Sequence, residues 1–172
     1  KITSNHERQP HIIHMSATPI PRTLALVLYE NMKYVKISDR PNNRLETITK
    51  IFNSNQRQSV YDAVNNHLRH NTQVYWVCTR VEDNDDNQQS IKSFHEVIRA
   101  QFSDYKCDIL HGNMSSEDKI EIINKFKNGK IDILIATSVI EVGVDCPNAN
   151  CLVIENSEMF GLSQLHQLRG RV

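Results

Sequence analysis

Apolar runs of strand length alternate with segments of helical period along most of this sequence, and few folds accommodate that alternation. The runs fall at residues 11–15, 74–78, 108–111, 131–136 and 151–154. Between them, Val60, Val64 and Leu68 recur every four residues, and Ile91, Phe94, Ile98 and Phe102 mark one face of a second amphipathic segment. A third helix carries its own end signals. Ser115 with Asp118 reads as a capping box, Ile120, Ile123 and Phe126 form the expected buried stripe, and Gly129 stands at the C′ position. Apolar strands without alternation need cover on both faces, so the pattern predicts an α/β protein: a mainly parallel sheet with helices on both faces.

The stretch 39–46, DRPNNRLE, is polar, contains Pro41 and has no periodicity, which marks it as a linker. Residues 1–38 are then expected to complete one domain, and 47–172 to form most of a second. Twenty Lys and Arg balance twenty Asp and Glu. There is accordingly no broad basic field to draw the protein onto nucleic acid, and any such contact must rest on hydroxyls and backbone N–H groups. The four cysteines form no C-x-x-C pair and three lie in or beside apolar runs, as reduced structural thiols do. No run approaches the ~20 apolar residues of a membrane span, and the opening residues KITSNHERQP lack the apolar segment of a signal peptide; a cytoplasmic setting is expected. No metal site is expected either. His11 and His14 would face opposite ways on a strand, His67 and His70 lack further ligands, and the acidic residues Glu82, Asp83, Asp85 and Asp86 read as a solvated loop.

Ligands of open α/β sheets bind beyond the carboxyl ends of the strands. Here the runs are followed by Ser16-Ala17-Thr18, Thr79-Arg80, His111-Gly112, Thr137-Ser138 and Glu155-Asn156. In the stretch SATPIPRT, the hydroxyls of Ser16 and Thr18 can relay a hydrogen-bond change while Pro19 and Pro21 stiffen the exit. A proline-rich turn without a ligand fits those residues equally. In ATSVIEVGVD, Thr137 can donate to a phosphate oxygen, Gly143 permits close backbone approach, and Asp145 can accept from a ribose hydroxyl. Gly112 offers a backbone N–H unshielded by a Cβ. Trp76 lies inside an apolar run and is expected in the core.

These stretches, taken in order, resemble the motifs of superfamily-2 helicases of the RecG type. SATPIPRT is similar to motif III, VYWVCT to motif IV, ATSVIEVGVD with CPNA after it to motif V, and QLHQLRGRV at residues 164–172 to the start of motif VI. The resemblance implies two RecA-like domains with ATP and Mg²⁺ between them and branched or duplex DNA as partner, in a motor acting as a monomer on forks and four-way junctions. It implies DNA contacts at Thr79, Arg80, Gly112, Thr137 and Ser138, ATP contacts at Gly143, Asp145 and Arg171, and coupling between domains through Ser16, Thr18 and Gln167. Arg171 matches the first arginine of motif VI, a finger that offsets charge growing on the transferring phosphoryl group. Its partner is expected two residues beyond Val172. The sequence contains no G-x-x-x-x-G-K-[ST] loop and no acidic Mg²⁺ motif, so ATP and Mg²⁺ are expected to be held mainly by first-domain groups and the isolated chain to be inactive. Two other readings stand beside this one: a transcription-repair coupling translocase, which shares PIPRT and QLHQLRGRV, and a non-catalytic module.

Overall fold

The computed structural model describes residues 46–79, 86–137 and 146–172 and the single positions Ile13, Met15 and Val35. The chain divides into compact units of residues 1–41 and 42–172, a boundary that falls inside the polar stretch 39–46. In the first unit, Ile13 and Met15 are exposed and outside any strand, contrary to the strand expected at 11–15. The other residues of that run lie outside the described residues. Ser16 and Thr18 lie outside the described residues.

The second unit runs α1 (Arg57–Arg69), β1 (Gln73–Val77), α2 (Asp86–Gln101), β2 (Cys107–Leu110), α3 (Ser116–Lys127), β3 (Ile133–Ala136), β4 (Ala149–Ile154) and α4 (Leu162–Arg169). The four strands form one sheet in the order β2-β3-β1-β4, with every described pairing parallel. Val74 and Trp76 stand beside Ile133 and Ile135 on one neighbour and beside Cys151 and Val153 on the other.

Side chains alternate across this sheet, and both faces are apolar. Val74, Trp76, Ile133 and Ile135 pack under α1 and α2 with Val64, Leu68, Ile98 and Phe102. Tyr75, Val77, Leu134 and Ala136 pack on the opposite face with Ile122 and Phe126 of α3 and Leu168 of α4. That is the two-sided cover the continuous runs require.

Helix ends follow local chemistry. The chain leaves α1 through Asn71 at φ 56°, a left-handed turn that asparagine tolerates, and Thr72 Oγ1 donates to the His67 carbonyl at 2.8 Å. At the C-terminal end of α3, Gly129 adopts φ 67°; its N–H donates to Phe126 O, and that of Lys130 to Lys125 O, the double bond of a Schellman cap. The stripe on α3 differs from the expected one. Ile122 and Phe126 are buried and Ile123 is partly covered, whereas Ile120 is 60% exposed. Each step of three residues lags a helical turn by about 60°, so Ile120 sits about 120° away from Phe126, while four-residue spacing keeps Ile122 above it. The start of β1 also differs: it includes Gln73, buried in the core, whose Nε2 donates at 2.6 Å to the carbonyls of Phe126 and Ile131. An amide fits there because two main-chain acceptors meet it.

Candidate strand-end nucleic-acid interface

Because the strands are parallel, their exits share one edge, and hydrogen bonds set the order of groups along it. Thr137 N–H donates to Leu110 O at 3.2 Å, Cys78 N–H to Ala136 O at 2.9 Å, and Glu155 N–H to Val77 O at 2.8 Å. The edge therefore presents His111 and Gly112, then Thr137, then Cys78 and Thr79, then Glu155. Gly112, Thr137 and Thr79, three residues expected at DNA, are brought together. Arg80, Ser138, Gly143 and Asp145 lie outside the described residues.

Lys119, in the first turn of α3, donates from Nζ to Gly112 O at 2.6 Å. The His111 pKa is lowered by burial and then by the charges of Lys92 and Lys119. Thr137 is only 3% exposed, and its Oγ1 finds no hydrogen-bond partner among the described residues. A buried hydroxyl without a partner is costly, so this atom is suited to a ligand oxygen or to the loop that follows it.

The other end of the edge holds an assembly with no counterpart among the sequence expectations. Glu155 accepts from the Trp76 indole N–H through Oε1 and from Arg57 through Oε2, both at 2.7 Å. Arg57 also donates from Nε to the Tyr61 hydroxyl at 3.1 Å and lies over the rings of Tyr61, Trp76 and Phe94, 5.3 to 5.8 Å from their centres. Burial opposes the Arg57 charge, but the bonds to Tyr61 and Glu155 outweigh it and leave its pKa raised. Trp76 is in the core as expected, with a polar handle that the apolar run did not disclose. The neighbouring Cys78 thiol is pushed up to about 12 by burial, with the Glu155 charge adding to it. Cys78, Cys107, Cys146 and Cys151 are free thiols.

Gln167 and Arg171 belong to α4 and the turn after it. Leu168 anchors that helix in the core, both residues are half-buried, and Arg171 N–H donates to Leu168 O at 3.0 Å. Thr47 Oγ1 donates at 3.4 Å to the carbonyl of Val172, the neighbour of Arg171, so the segment entering the domain touches the turn after α4.

A family model described as the helicase conserved C-terminal domain matches residues 55–172, well over half of the chain. The chain belongs to the helicase conserved C-terminal domain family. Relatives of this helicase domain include an ATP-dependent DNA helicase RecG of Treponema pallidum (strain Nichols), 43% identical over 166 residues, and a RecG1 homolog of Arabidopsis thaliana, chloroplastic/mitochondrial, 42% identical over 167 residues. These alignments cover 96% and 95% of this chain but 24% and 17% of the relatives, so the chain spans about a quarter of their length or less. A solved structure described as RecG bound to a three-way DNA junction matches with a TM-score of 0.74 and 39% identity, over 92% of this chain and 20% of that one. The second domain of the DEAD-box helicase Mss116p matches at 0.50 and 18% identity over 67% of this chain and 44% of that one, a likeness of fold alone. The helicase domain is thus a RecA-like parallel sheet similar to that of RecG. Among the described residues no helix is long and apolar enough to cross a membrane.

Proposed function

We propose that this chain is the second motor domain, with the end of the first, of an ATP-dependent DNA helicase of the RecG type that remodels branched DNA. The observation that carries the reading is the 0.74 match to RecG on a three-way junction, in a chain whose Gly112, Thr137 and Thr79 share one strand-end edge. The edge meets the DNA backbone: Gly112 with its N–H, Thr137 and Thr79 with their hydroxyls; Arg80 and Ser138, the next residues in sequence after Thr79 and Thr137, are assigned to DNA with them. The N–H and hydroxyl donors among these hold phosphate by hydrogen bonds that add no net charge.

ATP supplies the free energy of each step when it is bound between the two motor domains. Gly143 and Asp145 are assigned to its ribose and phosphates, and Arg171 to the γ-phosphate, where a planar cation meets two oxygens at once. Gln167 is assigned to coupling with Ser16 and Thr18. The Mg²⁺ is assigned to first-domain groups. The 172-residue chain has no G-x-x-x-x-G-K-[ST] loop and on this reading hydrolyses no ATP by itself. In the cell the motor works in the cytoplasm as a monomer.

The test is ATP hydrolysis and junction unwinding by the full-length protein with a three-way or four-way DNA junction. Stimulation by the junction well above that by linear duplex is expected. A protein that neither hydrolyses ATP faster with DNA nor unwinds the junction does not have this function.

A further inference from the structure

Glu155 is held at three points, two on β1 and one at the start of α1. Its main-chain N–H is bonded to Val77 in β1, its Oε1 takes the Trp76 indole N–H, and its Oε2 takes Arg57, the first residue of α1. The next residue, Asn156, turns the chain through φ 47° into the Ser157–Met159 turn and on to α4, which carries Gln167 and leads to Arg171. Trp76 lies three residues before Thr79. Arg57 closes the entering segment whose Thr47 touches Val172, the neighbour of Arg171. One carboxylate therefore joins the strand exit assigned to DNA, the entry of the chain into this domain, and the path to the arginine finger.

Stability alone does not account for the arrangement. The Arg57 and Glu155 side chains are 37% and 19% exposed, so the pair is still partly screened by water and its net contribution to stability is modest. What the pair does supply is geometry: the guanidinium is sandwiched against three rings and cannot swing away without giving up both its stacking and its bond to Tyr61. The carboxylate inherits that rigidity.

We infer that Arg57 and Glu155 are positioning residues that couple DNA engagement at the β1 exit to the placement of Arg171; the inference rests on the helicase reading above. Neither is assigned to ATP or DNA. A shift of the β1 exit on DNA pulls Trp76 and Glu155 together, and Glu155 re-aims the turn that leads to α4.

The experiment measures ATP hydrolysis by the full-length protein at saturating ATP across a range of junction DNA concentrations. Glu155→Gln keeps the shape and an acceptor for Trp76 while removing the charge facing Arg57. Arg57→Met keeps an apolar stem among the rings, and Arg57→Lys keeps the charge without the fork. The first two are expected to lower kcat at saturating DNA by about three- to thirtyfold, the size of effect seen for residues that act on coupling. The half-saturating DNA concentration and the melting temperature should hardly move, and Arg57→Lys should recover part of the loss. The double variant should be no worse than the weaker single one, since both remove the same interaction. Unchanged kcat, losses that multiply in the double variant, or a fall that follows weakened DNA binding each overturn the inference. If Arg57→Met melts early, Glu155→Gln decides, because it replaces one oxygen by an amide nitrogen. No DNA stimulation in the unsubstituted protein is a different failure: it removes the helicase reading, and this inference goes with it.

Discussion

Ser115 and Asp118 bond each other twice: the Asp118 N–H donates to Ser115 Oγ at 3.1 Å, and that hydroxyl donates to the Asp118 carboxylate at 2.8 Å. The pair closes the N-terminus of α3, the helix whose Lys119 holds Gly112 O. Ser115→Ala should destabilise the domain by about 1 kcal/mol in denaturant unfolding, the usual size of a lost cap. A change under a few tenths would mean that the helix end is held by other contacts.

Thr137→Val replaces a buried hydroxyl that lacks a partner among the described residues by a methyl of the same shape. Folded stability should stay level or rise, because an unmet polar atom is removed. In the full-length protein the same change should weaken the coupling of ATP use to DNA by roughly 0.5–1.5 kcal/mol, the worth of one neutral hydrogen bond. Loss of stability with intact coupling would make Thr137 a structural residue.

For Arg171, the expected signature is kinetic. Arg171→Ala in the full-length protein should lower kcat for ATP hydrolysis by several hundred-fold or more, guided by the ~10³–10⁵ range of arginine fingers, with ATP affinity much less affected. Arg171→Lys should restore little, since an ammonium lacks the planar fork. Near-normal turnover in the alanine variant, measured at saturating junction DNA, removes Arg171 from the active site.

The thiols predict an alkaline weakness. Burial pushes Cys78 and Cys107 up to about 12 and Cys151 up to about 11. Their unfolded-state value is about 8.5, so the folded chain holds these protons more tightly than the unfolded one. The resulting stability is fully present below about pH 8.5 and is lost as pH rises toward the folded values. Denaturant midpoints should fall between pH 9 and 11, and the triple variant Cys78→Ala, Cys107→Ala, Cys151→Ala should flatten the slope from its lower baseline. At pH 8 the same thiols should react slowly with iodoacetamide until the chain unfolds.

Much of the fold was legible because its rules are local. The runs around Trp76 and Leu134 read as strands because both faces of this sheet are covered, and Ser115 and Gly129 announced a helix start and stop by their own chemistry. The spacing of three from Ile120 does not keep to one helix face, and the buried place of Gln73 is not legible locally because its two acceptors, Phe126 O and Ile131 O, come from elsewhere in the chain. At the site, Thr79, Gly112 and Thr137 could be grouped from sequence since parallel strands end together. Arg57 and Glu155 could not: they are 98 residues apart, and nothing in the neighbourhood of either points to the other. Arg171 and Gln167 stood out only through the likeness of QLHQLRGRV to motif VI.

Trp76 is the one tryptophan in these 172 residues, and it sits with its N–H on the Glu155 carboxylate and its ring against Tyr61, Phe94 and Phe102. Indole emission is sensitive to a nearby charge and to water. The chain consequently carries its own optical gauge at the junction of α1, β1 and β4, and loosening at that junction can be followed by light alone, without a dye or an engineered label.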